Sequence, residues 1–335
     1  MMNMKQWCQD LMSAQKKKAC PVLSFPSIQM MGITVRELIN DSDLQAKGMK
    51  LISEKVPLGA SFALMDLSVE AEAFGSTIHV SDDEVPTVVG KILEEPEDAD
   101  ALQVPEIGAG RTGLYIESVK KACEIITDVP VFAGTIGPFS LAGRLMGMSD
   151  IMIYCYDEPE MVETTMEKAT EFLIKYINEY KAAGANGVCI AEPAAGLLSK
   201  GLVEEFAVPY IKRLIDAVQD DNFAVVLHNC GNSVVHWLDS WSQCGAMAYH
   251  FGNAVDMEAI MKGMPSDVIC MGNVDPASQF RNGNPESVYA KTIEVMEKCC
   301  AYPNFVISSG CDIPPLSSWD NINSFFKAVD DYYAK

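Results

Sequence analysis

Residues 225–232 read Val-Val-Leu-His-Asn-Cys-Gly-Asn, an apolar run that ends abruptly at a histidine. The β-branched residues predict a buried strand, and the glycine that follows predicts a turn. His228 and Cys230 stand at alternate positions and can therefore point the same way. An imidazole and a thiolate placed in this way could share one metal ion that accepts thiolate, such as zinc. Because short H-x-C pairs are common, the meaning of this stretch depends on the rest of the chain.

Seven further short apolar runs predict strands of the same kind. All eight lie at residues 21–25, 62–66, 131–136, 187–192, 224–228, 246–251, 268–272 and 305–308. Helical patterns separate them, such as the three- and four-residue periodicity between Asp157 and Gly184 and the helix start at Pro285. Apolar strands covered by helices predict a parallel sheet that is buried on both faces. Eight such units favour an α/β fold of the closed TIM (β/α)₈ barrel type over an open doubly wound sheet.

Two segments exceed what a minimal barrel needs. Residues 34–55 predict an N-terminal helical extension of one or two helices before the second strand. Residues 69–105 mix β-like and acidic stretches, and we expect an insertion after strand 2, beside the barrel mouth. Pro209 predicts a short helix that is followed by a longer one starting near Val208. With no repeat or linker visible, residues 1–335 are expected to form a single domain.

The charge balance argues against two classes of partner. The chain has 46 acidic and 25 basic residues and a net charge of -21. Such a surface repels nucleic acid and anionic membranes, so we expect neither as a partner. No apolar run reaches the roughly 18 residues of a membrane helix, and no signal peptide is visible in the first twenty residues. Eleven cysteines without a tight framework indicate reduced thiols and a cytoplasmic location.

A barrel gathers the residues at the C-terminal ends of its strands over one mouth. Polar and metal-binding residues collect there: Asp66, Glu70, Glu72, Gly137, Glu192, His228, Cys230, His250, Asn273, Asp275, Cys311 and Asp312. Cys311 follows the eighth strand, which completes an H-x-C-x80-C pattern. Three protein ligands and one open position make a catalytic zinc site. Two thiolates make zinc electron-rich, which suits activation of a substrate thiol better than production of hydroxide.

The other candidates receive roles around that predicted site. Glu192 could be a fourth ligand or a nearby base, and we assign it, together with Asp275, as catalytic. The residues assigned to substrate binding are Asp66, Glu70, Asn229, His250 and Asn273. For His250, a role in supporting the ligands and a purely structural position in the core are equally good interpretations. His79 and His236 are interpreted as solvated or core residues. The glycine-rich residues 134–147 have neither a Walker pattern nor G-x-G-x-x-G, so nucleotide binding is unsupported.

Four motifs resemble those of the uroporphyrinogen decarboxylase superfamily, over nearly the whole chain. They are LSVEAEAFG at 67–75, GPFSLA at 137–142, GNVDP at 272–276 and SGCDIPP at 309–315. The resemblance implies a TIM barrel. The decarboxylases carry an arginine-rich motif for substrate carboxylates near the N-terminus, whereas FPSIQMMG at 25–32 contains no arginine. Cys311 also replaces a glycine-flanked histidine. Because a polycarboxylated tetrapyrrole needs cationic partners, decarboxylation is disfavoured.

Within that superfamily the chain looks like the methylcobamide:coenzyme M methyltransferases. Their H-x-C…C zinc motif is matched by His228, Cys230 and Cys311. The resemblance implies that zinc holds a small thiol, which attacks the methyl group of a methyl-corrinoid carried on a separate corrinoid protein and releases Co(I). Related proteins transfer methyl groups in the opposite direction, to a corrinoid, and this alternative stays open. A porphyrinogen decarboxylase and a non-catalytic binding protein with structural zinc are the other two hypotheses.

Overall fold

A seven-stranded parallel sheet forms the centre of the protein, and a two-stranded hairpin lies outside it. The computed structural model describes residues 2–334. The strands are β1 (Ser61–Phe62), β2 (Thr77–His79), β3 (Thr87–Val89), β4 (Val131–Ile136), β5 (Gly187–Ala191), β6 (Ala224–Asn229), β7 (Ala248–Phe251), β8 (Ile269–Val274) and β9 (Phe305–Ser309). The large sheet has the order β1-β4-β5-β6-β7-β8-β9, and β2 pairs with β3 in antiparallel fashion. The sheet is curled and surrounded by helices, so the predicted TIM-barrel fold is confirmed.

The prediction of a strand at residues 21–25 is wrong. No strand forms there, yet the preceding residues fill the gap between β1 and β9. The carbonyl of Ala19 accepts a bond from Gly59 N at 2.8 Å, and Cys20 N donates to the carbonyl of Ile307 at 3.0 Å. Val22 N donates to a side chain, the Ser309 hydroxyl, at 3.0 Å. Because Pro21 has no N–H, the segment closes the barrel without a regular ladder.

Helices surround the sheet. Their bounds are α1 (Met4–Ser13), α2 (Ser27–Met31), α3 (Val35–Ile39), α4 (Ser42–Lys55), α5 (Val69–Ala73), α6 (Pro96–Ala101), α7 (Thr112–Ile125), α8 (Pro138–Met146), α9 (Asp150–Asp157), α10 (Pro159–Ala182), α11 (Lys200–Phe206), α12 (Val208–Val218), α13 (Leu238–Ser242), α14 (Met257–Gly263), α15 (Pro285–Cys299) and α16 (Trp319–Ala334). Single turns of 3₁₀ helix lie at Ala194–Leu197 and Asn232–His236, and Pro276–Arg281 is π-helical. None of the helices within residues 2–334 is long and apolar enough to cross a membrane.

The segments added to the barrel match their prediction. Helices α3 and α4 form the extension before β1, and α3 starts with a capping box between Thr34 and Glu37. Strand β1 corresponds to the second predicted strand, and the insertion that follows it contains α5, the β2–β3 hairpin and α6. The break at Pro209 separates α11 from α12, as expected. Helix α1 was not predicted. It contacts the barrel interior through Trp7, whose ring lies 5.8 Å from that of Phe132.

Alternate residues of each strand enter two different cores. In β6, Val225 and Leu227 pack in the large core that also contains the helix residues, whereas Ala224 and Val226 pack in the small core inside the barrel. This two-residue alternation is the property of strands that lets one sheet serve two layers. It also decides the direction of the next residue in β6, because His228 continues the series that faces the barrel interior.

Candidate functional site

Strand register places two histidines side by side inside the barrel. His228 of β6 pairs with Ala191 of β5 on one side and with His250 of β7 on the other. Both histidines are buried, at 4% and 0% exposure. Neighbouring strands in a sheet are about 5 Å apart, so paired residues on the same face are in contact. The interior of the barrel therefore carries an imidazole pair at the C-terminal end of its strands.

The residues of the H-x-C-x80-C pattern come together just beyond these strand ends. Their possible ligand atoms, from His228, Cys230 and Cys311, all lie within 4.8 Å of one another. The Sγ of Cys311 is 3.5 Å from Nε2 of His228. Cys311 follows β9 through Gly310, whose N–H donates to the carbonyl of Val274 at 2.7 Å. The predicted metal ligands are thus neighbours in space, and zinc remains a proposal.

The two cysteines shift each other's pKa in opposite directions. The neighbouring Cys311, and then His228, lower the pKa of Cys230. The neighbouring Cys230, together with burial, raises the pKa of Cys311 well above its ordinary value. The first proton therefore leaves this pair of thiols more readily than the second, which is the expected behaviour of two acidic groups that lie close together.

A small apolar cavity opens beside these three residues. It has a volume of about 60 Å³, and its other walls are Val22, Met65, Leu67, Cys189, Ala191, Pro193 and Asp312. Among the residues that the structure describes, no lysine or arginine lines it. One water occupies about 30 Å³ of liquid, so the cavity suits a reactant of very few heavy atoms. Its apolar walls favour a small, water-poor reacting group.

Close backbone contact holds the cysteine loop in place. A side chain at Gly252 would lie 2.5 Å from Cα of Cys230. Asn229 ties the same loop to its neighbour, since its amide donates to the carbonyl of Glu192 at 2.7 Å and its Oδ1 accepts from Gly231 N at 2.9 Å. The structure thus places Asn229, predicted to bind substrate, where its side chain organises the turn that carries Cys230.

The Glu192 carboxylate is fully buried and faces the start of helix α8. It accepts hydrogen bonds from Phe139 N at 2.9 Å and Ser140 N at 2.7 Å, and a short one from the Ser140 hydroxyl. Burial raises its pKa to about 7, although these donors oppose the shift. Its proposed role as ligand or base remains a prediction. In this structure, every hydrogen-bond partner of the Glu192 carboxylate comes from the first turn of α8.

Asp66 belongs to a buried network around Arg111. Its carboxylate pairs with the Arg111 guanidinium and accepts from the Tyr115 hydroxyl at 2.7 Å. Arg111 also donates to the Ser68 hydroxyl at 2.8 Å and to Glu72 at 2.6 Å. The network anchors the segment after β1 to helix α7. Sequence reasoning did not identify Arg111, which lies in a loop with no periodic signal.

Glu70, Asn273 and Asp275 occupy three different surroundings. Glu70 accepts from the Thr135 hydroxyl at 2.6 Å, and burial raises its pKa to about 7. Asn273 donates to the carbonyls of Gly252 and Val255 at 3.0 and 2.9 Å. Asp275 caps the turn that starts at Pro276. Asn273 and Asp275 line a separate cavity of about 300 Å³ that includes none of the three clustered donors.

Comparisons with known proteins agree with this fold. The model of the uroporphyrinogen decarboxylase family matches residues 19–332. The chain is 27% identical to a methylcobamide:CoM methyltransferase of Methanosarcina acetivorans over 271 residues, 80% of this chain and 78% of the relative. It is 25% identical to the uroporphyrinogen decarboxylase of Coxiella burnetii over 295 residues, 84% and 79% of the two chains. The solved structure of a methyltransferase from Methanosarcina mazei has the same fold, with a TM-score of 0.87, 24% identity and coverage of 99% and 100%.

Proposed function

We propose that this chain, which belongs to the uroporphyrinogen decarboxylase family, is a zinc-dependent methyltransferase that moves a methyl group between a methyl-corrinoid and a small thiol such as coenzyme M. The observation that carries the proposal is the meeting of His228, Cys230 and Cys311 at the barrel mouth. Relatives named methylcobamide:CoM methyltransferases support the corrinoid-dependent class of reaction. The methyl-corrinoid is proposed to arrive on a partner protein.

The donor set fits zinc. One imidazole nitrogen and two sulfurs lie within 4.8 Å of one another. If these three donors held zinc, one of its four usual positions would be left for a reactant. The neighbouring Cys311 and His228 lower the pKa of Cys230, which favours the thiolate that a zinc ligand must be. Zinc bound here would lower the pKa of a substrate thiol while leaving its sulfur nucleophilic.

The surrounding side chains select and protect the reacting sulfur. The cavity beside the cysteines has apolar walls that exclude water, so a nucleophilic sulfur would meet little competition from solvation. Its volume of about 60 Å³ suits the short end of a thiol. The barrel mouth, at the C-terminal ends of the strands, is the face from which a methyl-corrinoid would approach.

Decarboxylation of a porphyrinogen is the second candidate, since the family also contains decarboxylases at 25% identity. One feature favours methyl transfer. Residues 25–32 contain no arginine for substrate carboxylates.

Zinc analysis combined with a methyl-transfer assay tests the proposal. The purified protein should bind about one zinc per chain and convert methylcobalamin and a thiol into cob(I)alamin and a thioether. 2-Mercaptoethanesulfonate, 2-mercaptoethanol and ethanethiol would be compared as acceptors. Cys311→Ser and His228→Gln should lose zinc and activity together, whereas His236→Gln, at an exposed histidine, should keep both. Full thiol methylation by metal-free protein would contradict the proposal.

Two further assays separate the alternatives. Incubating the methylated thiol with cob(I)alamin measures the opposite direction of transfer. Incubating the protein with uroporphyrinogen and analysing the products for lost carboxyl groups tests decarboxylation. Decarboxylated products that form without metal would replace the methyltransferase proposal with the second candidate.

A further inference from the structure

A chain of hydrogen bonds leads from the metal-facing histidine to the opposite wall of the barrel. Nδ1 of His228 lies 2.7 Å from Nδ1 of His250. Nε2 of His250 lies 2.8 Å from the hydroxyl oxygen of Ser308. That hydroxyl in turn lies 2.8 Å from the backbone carbonyl of Cys20. All three side chains are buried inside the barrel, so water does not compete for these bonds.

The backbone carbonyl of Cys20 ends this series of hydrogen bonds and fixes the direction of every proton in the series. A backbone carbonyl only accepts, so the hydroxyl of Ser308 donates its single proton to Cys20. The same hydroxyl must then accept from His250, which places a proton on Nε2 of that ring. A neutral imidazole carries one proton, so Nδ1 of His250 is left with a lone pair.

That lone pair determines which nitrogen of His228 is protonated. Since Nδ1 of His250 accepts, Nδ1 of His228 must donate across the 2.7 Å contact. The backbone carbonyl of His250, 3.3 Å away, is a second acceptor for the same proton. The other nitrogen, Nε2, is the one that lies 3.5 Å from the sulfur of Cys311. It faces the clustered cysteines and is free to offer a lone pair to a metal.

We infer that His250 and Ser308 are positioning residues that fix His228 with its proton on Nδ1 and its metal-binding lone pair on Nε2. The inference rests on the proposed metal site and goes beyond it, because it assigns work to two residues that touch neither the metal position nor the thiol cavity. Histidine ligands are commonly oriented by an acceptor on their second nitrogen. Here that acceptor is a neutral histidine, itself oriented by a serine and a backbone carbonyl.

Strand geometry holds these residues in place. We call the hydrogen bonds from His228 through His250 and Ser308 to the carbonyl of Cys20 the relay. His228 and His250 are paired residues on adjacent strands, β6 and β7. Ser308 lies on β9, two strands further on, and reaches His250 across the barrel interior. Ser309, the next residue, has an equally buried hydroxyl that accepts instead from Val22 N. Its hydroxyl provides a matched control, because it has the same size and burial as that of Ser308 but is bonded to Val22 N and not to His250.

Nitrogen-15 NMR of metal-free protein tests the proton positions directly. The chain has four histidines, and the two exposed ones are assigned by His79→Gln and His236→Gln. We expect His250 to show a protonated Nε2 and a bare Nδ1, and His228 to show a protonated Nδ1. Ser308→Ala should let His250 exchange between tautomers, and Ser309→Ala should not. A protonated Nδ1 on His250, or a bare Nδ1 on His228, would overturn the inference whatever the activity of the protein.

Zinc affinity gives the second readout, measured by competition with a chromophoric chelator. Loss of such a supporting partner typically costs about 10- to 100-fold in metal affinity, and we expect this loss for Ser308→Ala. The Ser309→Ala variant should bind zinc as wild type does. Equal affinities for the two variants would refute the positioning role while leaving the proposed function intact. Failure of wild type to bind zinc would instead refute the proposed metal site, and the NMR result would still stand.

Discussion

Replacing Glu192 by glutamine separates two roles for this carboxylate, namely metal ligand or base on one hand and partner of helix α8 on the other. In the structure the carboxylate receives Phe139 N, Ser140 N and the Ser140 hydroxyl. These donors form the first turn of α8, where a negative charge is favourable. We therefore expect Glu192→Gln to change the pH dependence of stability and to leave zinc binding intact.

The size of the pH-dependent change in stability follows from the pKa of Glu192. Burial raises the pKa of Glu192 from 4.5 to about 7. Between these values the unfolded chain has released the proton and the folded chain retains it, so the stability of wild type falls as pH rises. One pKa unit corresponds to about 1.4 kcal/mol, so the loss between pH 4.5 and pH values above 7 amounts to about 3 kcal/mol. Glutamine does not titrate and lacks this loss.

A second effect, which does not depend on pH, lowers the stability of the Glu192→Gln variant. The glutamine amide keeps one accepting oxygen but turns an N–H group toward the donors of α8, which costs about 1–3 kcal/mol for the unsatisfied donor. Glu192→Gln should therefore be less stable than wild type near pH 5, and the difference should shrink or reverse near pH 8.5.

Urea unfolding of metal-free, reduced protein across this pH range measures the effect. Glu160→Gln, at an exposed position of helix α10, controls for loss of a negative charge alone. Parallel stability curves for wild type and Glu192→Gln would refute the reasoning about burial. Loss of zinc from Glu192→Gln would refute the assignment of the carboxylate to α8 and support its role as a ligand.

Three further substitutions test the surroundings of the site. Arg111→Met should lower the free energy of unfolding, measured in urea, by about 3–5 kcal/mol, because it leaves the buried carboxylate of Asp66 without its partner. Adding Asp66→Asn should recover part of that loss, and additive effects of the two substitutions would contradict their coupling. Gly252→Ala should lower zinc affinity in a chelator competition, because its methyl group collides with the cysteine loop, whereas Gly201→Ala, which meets open space, should leave affinity unchanged. Phe132→Ala should cost about 3–5 kcal/mol of unfolding free energy, and a loss below 1 kcal/mol would show that helix α1 does not pack on a closed barrel interior.

The fold was predictable because the strands repeat one simple pattern. Apolar runs such as 131–136 and 305–308 are buried on both faces, and helical periodicity separates them. The segment at 21–25 has the same composition but differs in bonding. Within it, Val22 donates to a side chain, and Pro21 cannot donate at all. Composition alone cannot distinguish a strand from an extended segment that closes a sheet through side chains.

The site was predictable only where strand ends decide it. His228 lies near the end of β6, and Cys230 and Cys311 come within two residues after β6 and β9, so the barrel rule was enough to bring them together. The surroundings of Glu192 depend instead on where the first turn of α8 lies, which strand positions do not give. Ser308 could have been noticed as a polar residue near the end of an apolar strand. Its link to a histidine on another strand, however, requires the register and curvature of the whole barrel.

The neutral relay behind His228 also accounts for the charge of the proposed site. Two thiolates balance the charge of one zinc ion, so the loaded site would carry no net charge and would be inexpensive to bury. A carboxylate in place of His250 would add a buried negative charge, in a chain whose net charge is already -21. Because the relay ends on a backbone carbonyl instead, it adds no negative charge to the site. In the proposed reaction the negative charge at zinc would therefore come from the thiolates themselves, and electron density at sulfur is what lets a thiolate attack a methyl group.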